Sequence, residues 1–464
     1  MVEQFDVIVI GAGQAGPALA ARCGQEGLKT VLIERDLMGG TCVNNGCVPT
    51  KTLVASARVA ALARRAAEYG VIIDPPPRVD MPAVKARKDK LVMASRDGVT
   101  SWMDKAKNVS VIRGHARFTG AHEIKVDGRT LTAKKIFINV GGRPSVPKLT
   151  GIEQVPYLNN ISMMDVDFVP EHLVIIGGSY IGLEFAQMYR RFGAEVTICE
   201  MGPHLIGRED EDVSDEIRAI LEREGITVRT SATCLAVEKT SGGISVGVTC
   251  EHGAPKIDGS HLLIATGRTP NSDDLGLDCA GINTDKRGYI TVNDQLETSV
   301  AGVYALGDVN GRGAFTHTSW NDYEIVAANL FDDGKRRVTD RIPIYALFTD
   351  PPLGRIGLSF NEAIKTDRPL LTANMLMSRV GRAREAGETQ GFMKVVVDAE
   401  TKRILGAAVL GMNGDEVVQS ILEVMTADVP YTSINRGVHI HPTVSELLPT
   451  LLEGLKPFEQ PSPP

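Results

Sequence analysis

The chain has 464 residues, 43% hydrophobic and 23% charged, which is material for about three packed domains at roughly 100–200 residues each. Its net charge of −7 and pI near 5.8 argue against a nucleic-acid binder held by bulk positive charge. No apolar run is long enough to span a membrane, and the short start Phe5–Ile10 lacks a basic flank, so neither membrane span nor signal peptide is expected and a cytoplasmic location is the default.

In chain order, Phe5-Asp-Val-Ile-Val-Ile10 reads as a strand buried on both faces, Gly11-Ala-Gly-Gln-Ala-Gly16 as a tight turn and Pro17–Glu26 as a helix. Thr30–Glu34 reads as a second strand ending in an acid. The segment Gly39-Gly-Thr-Cys-Val-Asn-Asn-Gly-Cys-Val-Pro-Thr-Lys51 follows. Asp74–Pro77 and Pro144–Pro147 are loop-like, and Ile136–Val140 is a strand running into Gly141. The opening pattern then returns: strand His172–Ile176, turn Gly177-Gly-Ser-Tyr-Ile-Gly182, helix Glu184–Phe192, and strand Val196–Glu200 ending in an acid. Leu263–Pro270 and Val303–Asp308 are further strands running into glycine, the second with an acid directly after it. From Ile342 the pattern becomes α+β, with strands Phe392–Val397 and Leu405–Leu410 and an amphipathic helix over Asp415–Ala427. The tail Pro461–Pro464 is expected to be disordered.

Twenty-three positions separate Gly11 from Glu34, and the same number separates Gly177 from Glu200. One such glycine motif is a weak signal, but two with matched strands and matched acids point to two dinucleotide sites. Gly11, Gly13 and Gly16 in one loop, and Gly177, Gly178 and Gly182 in the other, allow a tight turn and close approach of a pyrophosphate to a helix N-terminus. Glu34 and Glu200 would accept hydrogen bonds from ribose hydroxyls, and an acid at the second site favours NAD(H) over NADP(H). Arg208, a little downstream, keeps NADP(H) open. Asp308 suits either a ribityl or ribose hydroxyl or a helix N-cap.

Of seven cysteines only Cys42 and Cys47 are close in sequence. Gly39, Gly40 and Gly46 permit unusual backbone angles around them, and Pro49 suits the first turn of a helix. That puts Cys47 just before or at a helix N-terminus, where a thiolate is stabilised. The pair reads as reactive thiols rather than two unrelated buried cysteines, and no second pair completes a zinc site, so no metal is expected. In His439-Ile-His-Pro-Thr-Val-Ser-Glu446, Pro442 suits a helix start and Glu446 can reach back to His441. A histidine before proline is often structural, but an imidazole oriented by a carboxylate is also the general base that thiol chemistry needs.

Together these residues resemble the FAD-dependent pyridine nucleotide-disulfide oxidoreductases, the family of glutathione reductase, dihydrolipoyl dehydrogenase and mercuric reductase. The resemblance spans nearly the whole chain, through the first glycine motif, Gly-Thr-Cys-x4-Cys, the second glycine motif, Ala-Thr-Gly-Arg, Ala-Leu-Gly-Asp and His-Pro-Thr-x-x-Glu. It implies an α/β fold with two Rossmann-like domains for FAD and NAD(P) and a C-terminal α+β dimerisation domain. The corresponding segments are 1–149 and 271–341 for FAD, 150–270 for NAD(P)H and 342–464 for dimerisation. By resemblance Cys47 faces the flavin, Cys42 attacks the substrate, Lys51 pairs with Glu184, and His441 with Glu446 comes from the partner in a homodimer. It places Gly40, Thr41, Lys51, Gly141 and Asp308 at FAD and Tyr180 and Gly267 at NAD(P), with Tyr180 matching a gating tyrosine of some members.

Phe315–Tyr323 and Phe348–Gly357 resemble the mercuric reductase-like group, which includes bacterial reactive-chlorine-resistance reductases with copper(II) and hypothiocyanous acid as proposed substrates. True mercuric reductases end in a vicinal cysteine pair and carry an N-terminal metal-binding module. Here no cysteine follows Cys279 and no such module is expected, so a dedicated mercury role is not expected. The leading expectation is an NAD(P)H-dependent flavoenzyme passing electrons through Cys42 and Cys47 to a small disulfide, oxidant or metal ion. The alternatives are a dihydrolipoyl dehydrogenase and a non-catalytic flavoprotein subunit. Arg382 and Arg384 read as a solvated basic turn more readily than as pocket residues.

Overall fold

The structure is a computed structural model describing residues 2–249 and 255–458; the tail expected to be disordered lies outside them. The first apolar run becomes the strand Val2–Ile10, central in a parallel layer because both its faces are covered. Thr30–Glu34 and Val109–Arg113 lie on one side of it, and Arg129–Ile138 on the other. Val303–Ala305 adds to Arg129–Ile138 with Tyr304 opposite Phe137, so chain on both sides of residues 150–270 builds one sheet.

A second parallel sheet runs Thr227–Arg229, Glu195–Cys199, His172–Ile176 and His261–Ile264. It is joined to the first by a short antiparallel pair, Gly142–Pro144 with Arg268–Pro270. The C-terminal region is a six-stranded antiparallel sheet with the Gly414–Thr426 helix against it. The architecture is the α/β one read from the sequence, two nucleotide-type sheets followed by an α+β unit. Among the described residues no helix is long and apolar enough to cross a membrane.

Two helices start earlier than the pattern suggests. The first begins at Ala15, ahead of Pro17, because proline is tolerated in a helix's opening turn. The second begins at Tyr180, directly after the loop, so the amides of its first turn face the cleft. Pro442 does not start a helix: the helical turn begins at Ser445, where Thr443 Oγ1 accepts from the Glu446 amide at 3.2 Å and Glu446 Oε1 accepts from the Thr443 amide at 3.4 Å. That exchange is the Thr-x-x-Glu capping pattern, a signal present in the sequence beside the proline.

The two nucleotide loops are superposable in their constraints. A Cβ on Gly16 would lie 2.0 Å from the Gly11 carbonyl oxygen, and one on Gly182 would lie 2.0 Å from that of Gly177. Each glycine therefore permits its helix to close against its own loop. Gly16→Ala is expected to lose bound flavin, whereas Gly182→Ala should keep it and weaken pyridine-nucleotide binding by roughly tenfold or more, as overpacking costs imply. Flavin absorbance of the purified variants and calorimetric titration with dinucleotide separate the two outcomes.

Candidate active site

Cys42 sits in the short helix Gly40–Asn44, and Cys47 is the first residue of the Cys47–Arg64 helix. Both line one cleft of about 1650 Å³, well above the size usual for a single small ligand. The Cys47 thiol is lowered to about 6, chiefly by the hydrogen bond from Cys42, then by Thr316 and the nearby Lys51 charge, against the opposing effect of burial. Cys42 is pushed up in turn, first by its hydrogen bond to the Cys47 thiolate and then by burial. The reduced pair thus holds one thiolate and one thiol. Thr316 Oγ1 lies 3.0 Å from Cys47 Sγ. The sequence reading assigned Thr316 no role, because 269 positions separate the two residues.

One turn beyond Cys47, Lys51 Nζ donates to Glu184 Oε1 and Oε2 at 2.9 and 2.7 Å. The Phe348 amide donates to the same carboxylate at 3.0 Å, and Lys51 Nζ stands 4.5 Å from the Phe348 ring centre. Lys51 and Glu184 therefore meet as the resemblance implies, with Phe348 as an unforeseen third member.

The acids at the strand ends act alike. Glu34 Oε2 accepts from the Ala12 amide at 2.6 Å and Oε1 from the Asp36 amide at 2.8 Å. Glu200 Oε2 accepts from the Gly178 amide at 2.6 Å and Oε1 from the Gly202 amide at 2.8 Å. A carboxylate offers about four acceptor positions, so each acid retains capacity for a ribose hydroxyl. Arg208 is exposed and lines the same cleft as Glu200.

Asp308 lies in the turn Gly307–Asn310 and lines the cleft; the N-cap of the following helix is Phe315, so Asp308 is not that helix's cap. Burial pushes its carboxyl up, opposed by Arg268, whose Nε is 3.4 Å away. That Nε is buried without a hydrogen-bond partner. Gly13, Gly40, Thr41, Gly141, Tyr180 and Gly267 also line the cleft. Gly40 has φ +60°, and a Cβ there would lie 2.8 Å from the Gly13 Cα.

His441 is not among the cleft's lining residues. Its Nδ1 meets Glu446 at 2.9 and 3.0 Å, so the carboxylate orients the ring, while 78% of the side chain stays exposed. Neighbouring Val438 and Ile440 are exposed as well. Arg382 and Arg384 lie in the short helix Gly381–Glu385, away from the cleft lining.

A family model described as pyridine nucleotide-disulphide oxidoreductase matches residues 5–322, and the corresponding dimerisation-domain model matches residues 344–452. The chain belongs to the pyridine nucleotide-disulphide oxidoreductases. It is an enzyme of that class and carries the family's dimerisation domain. It is 34% identical to the probable pyridine nucleotide-disulfide oxidoreductase RclA of Escherichia coli, over 98% of this chain and 100% of that one. It is 33% identical to a dihydrolipoyl dehydrogenase of Thermus scotoductus over 98% of both chains, and 30% identical to a mercuric reductase of Lysinibacillus sphaericus over 98% of this chain and 82% of that one. Among solved structures, the HOCl-induced flavoprotein disulfide reductase RclA from Escherichia coli superposes with a TM-score of 0.88 at 33% identity, covering 97% of this chain and 99% of that one. Its copper(II) complex gives 0.88 at 33% identity, covering 96% and 99%.

The family implies FAD and a pyridine nucleotide, and the residues present fit both. The first loop is a cradle that a Cβ at Gly40 would fill, lining one cleft with Asp308 and Arg268, and the second repeats the glycine-and-acid geometry. If the Cys42 hydrogen bond is the main cause of the Cys47 shift, ultraviolet thiolate absorbance of the reduced enzyme titrates near pH 6. The thiolate is present above that pH and lost below it. Cys42→Ala should move the titration upward, and an unmoved midpoint would show that Lys51 and Thr316 suffice.

Proposed function

We propose that the enzyme oxidises NAD(P)H, with NADH preferred, and passes the electrons through Cys47 and Cys42 to a small disulfide, oxidant or metal ion. The observation that carries this reading is the placing of Cys42 and Cys47 in one cleft, Cys47 at a helix start against Thr316 and one turn from the Lys51–Glu184 pair. FAD, when bound, supplies the two-electron relay between nicotinamide and disulfide. Its holders are Gly11, Gly13, Gly16, Glu34, Gly40, Thr41, Lys51, Gly141 and Asp308; those of the nicotinamide nucleotide are Gly177, Gly178, Tyr180, Gly182, Glu200 and Gly267.

Cys47 is the thiol nearer the flavin, and Lys51 and Thr316 hold its charge. Cys42 is the thiol that engages the acceptor. It must lose its proton to attack, and His441 of the partner subunit, oriented by the partner's Glu446, takes it. With a disulfide acceptor, Cys42 sulfur forms a bond to one substrate sulfur and the other leaves as a thiol, receiving the proton from His441. The Cys47 thiolate then attacks the Cys42 sulfur, breaking its bond to the substrate sulfur, which leaves as a thiolate and takes its proton from solvent, and the Cys42–Cys47 disulfide is restored. The RclA copper(II) complex supports including copper(II) among the acceptors, since thiolates favour copper(I), the product of its one-electron reduction. The Thermus scotoductus relative supports a second reading, dihydrolipoyl dehydrogenase.

The deciding experiment is NADH and NADPH oxidation against copper(II), hypothiocyanous acid, mercury(II), glutathione disulfide and lipoamide, with dihydrolipoamide oxidation run in reverse. Negligible acceleration by every acceptor would overturn the leading reading, and brisk dihydrolipoamide oxidation would favour the second. Cys42→Ser should abolish acceptor turnover while NADH still bleaches the flavin. His441→Ala should slow disulfide turnover by about 10²–10⁴-fold, the usual worth of a general base. Glu200→Ala should raise KM for NADH by about tenfold, as loss of a charged hydrogen bond implies, and raise that for NADPH by less, through the loosened Gly178 loop alone.

A further inference from the structure

Four residues separate the two sulfurs in sequence, Val43, Asn44, Asn45 and Gly46. One helix ends at Asn44 and the next starts at Cys47, so the span folds back tightly. The Asn45 amide donates to the Thr41 carbonyl at 3.0 Å, and a Cβ on Gly46 would lie 2.8 Å from the same oxygen. Rotation of the peptide between Asn45 and Gly46 therefore moves Cys47 relative to Cys42. The carbonyl of that peptide is held from outside the span. Asn160 Nδ2 donates to it at 3.2 Å, across 115 positions of sequence.

Asn160 is buried and lines the same cleft as the cysteines. Its own backbone is fixed. The Asn159 side chain accepts from the Ile161 and Ser162 amides at 2.9 and 3.1 Å, and Ser162 Oγ accepts from the Asn159 amide at 2.9 Å. Just beyond, the Met164 carbonyl accepts at 2.6 Å from Nζ of Lys88, a buried lysine on the Met81–Lys105 helix. Two turns further along that helix, Arg96 Nε donates to Asn44 Oδ1 at 2.8 Å. Asn44 Nδ2 in turn donates to the Met38 and Gly40 carbonyls at 3.0 and 2.9 Å. One helix thus backs the cysteine span twice, through Asn44 directly and through Asn160 by way of the 159–164 turn.

We propose that Asn160 is a positioning residue that clamps the span between the cysteines and so sets how readily the dithiol closes. The inference rests on reading Cys42 and Cys47 as the redox couple. Closing the couple forms the bond between the two Sγ atoms, while two electrons and the thiol protons leave for the acceptor. The clamp and the disulfide order the same few peptides. Each forms at lower entropic cost once the other is in place, so the clamp favours the disulfide over the dithiol. Linkage makes this reciprocal, and the disulfide tightens the clamp by the same factor. Release of the clamp therefore shifts the couple toward the dithiol. A general loosening of the fold, equal in both redox states, would leave the couple unmoved.

The test equilibrates holoenzyme anaerobically in dithiothreitol buffers, quenches with N-ethylmaleimide and reads the ratio of disulfide to dithiol in the Cys42–Cys47 peptide by mass. Here the disulfide of oxidised dithiothreitol breaks, and its two sulfurs take the two electrons and two protons that the closing couple gives up. Asn160→Leu removes the donor at nearly constant volume. It should favour the dithiol by about three- to tenfold, the usual worth of one hydrogen bond, or about 15–30 mV for a two-electron couple. Its unfolding temperature should fall further in the disulfide form than in the dithiol form. If Asn160→Leu does not retain flavin, Asn160→Ala, a truncation at the cleft wall, is read by the same criterion. A ratio unchanged from wild type, or one shifted toward the disulfide, overturns the clamp. If the wild-type pair is alkylated as two thiols in every buffer, the reading of Cys42 and Cys47 as the couple fails instead.

Discussion

Glu184 is the point on which the arrangement turns. It is a carboxylate with 7% side-chain exposure on a helix of the nucleotide-binding insertion. It accepts from Lys51 on the dithiol helix and from the Phe348 amide of the C-terminal unit. A charge so buried is tolerable only when it is paired and fully hydrogen-bonded, so the partners must stay in place. Satisfying one carboxylate therefore holds three stretches of chain in register around the cysteines. Gln187, one turn along the same helix, adds to this by exchanging hydrogen bonds with the Asp350 amide and carbonyl.

Around that junction, electrostatics separate two otherwise similar thiols. Cys47 has the helix N-terminus and Lys51 on its side, whereas Cys42 is pushed up by the Cys47 thiolate and by burial, with Thr316 opposing that rise. Buried Cys23 shows the contrast, since burial without such partners pushes its thiol up to about 12. Reactivity in this chain is therefore a property of position in the cleft, not of cysteine content. His441, oriented by Glu446, stands outside the cleft lining of its own chain, exposed beside Val438 and Ile440, on a unit belonging to the family's dimerisation domain.

The two nucleotide loops show a second economy. Each acid stands at its strand's end and accepts from an amide of its own glycine loop, so the carboxylate proposed for the ribose also fixes the shape of that turn. A substitution at either acid consequently reaches the loop as well as the ribose. Both acids and both cysteines line one cleft.

The local features were legible from residue order alone. Two strand–glycine–helix units, matched terminal acids, the Cys42–Cys47 spacing, the helix start at Cys47 and the Glu446–His441 reach are all short-range, set by backbone geometry within a few turns of chain. Pro442 misled because a local proline signal competed with the Thr443–Glu446 capping exchange, and the capping hydrogen bonds prevailed. Thr316 against Cys47, Arg268 against Asp308, Phe348 on Glu184 and Tyr345 on Glu209 had no such signature. Each is made by residues far apart in sequence that meet only when separate sheets pack, because a buried charge or thiol takes whatever donor the packing brings to it. The sequence by itself determined the chemistry available, a dithiol between two glycine loops of dinucleotide type; the packing of distant segments decided which partners each sulfur meets in the cleft.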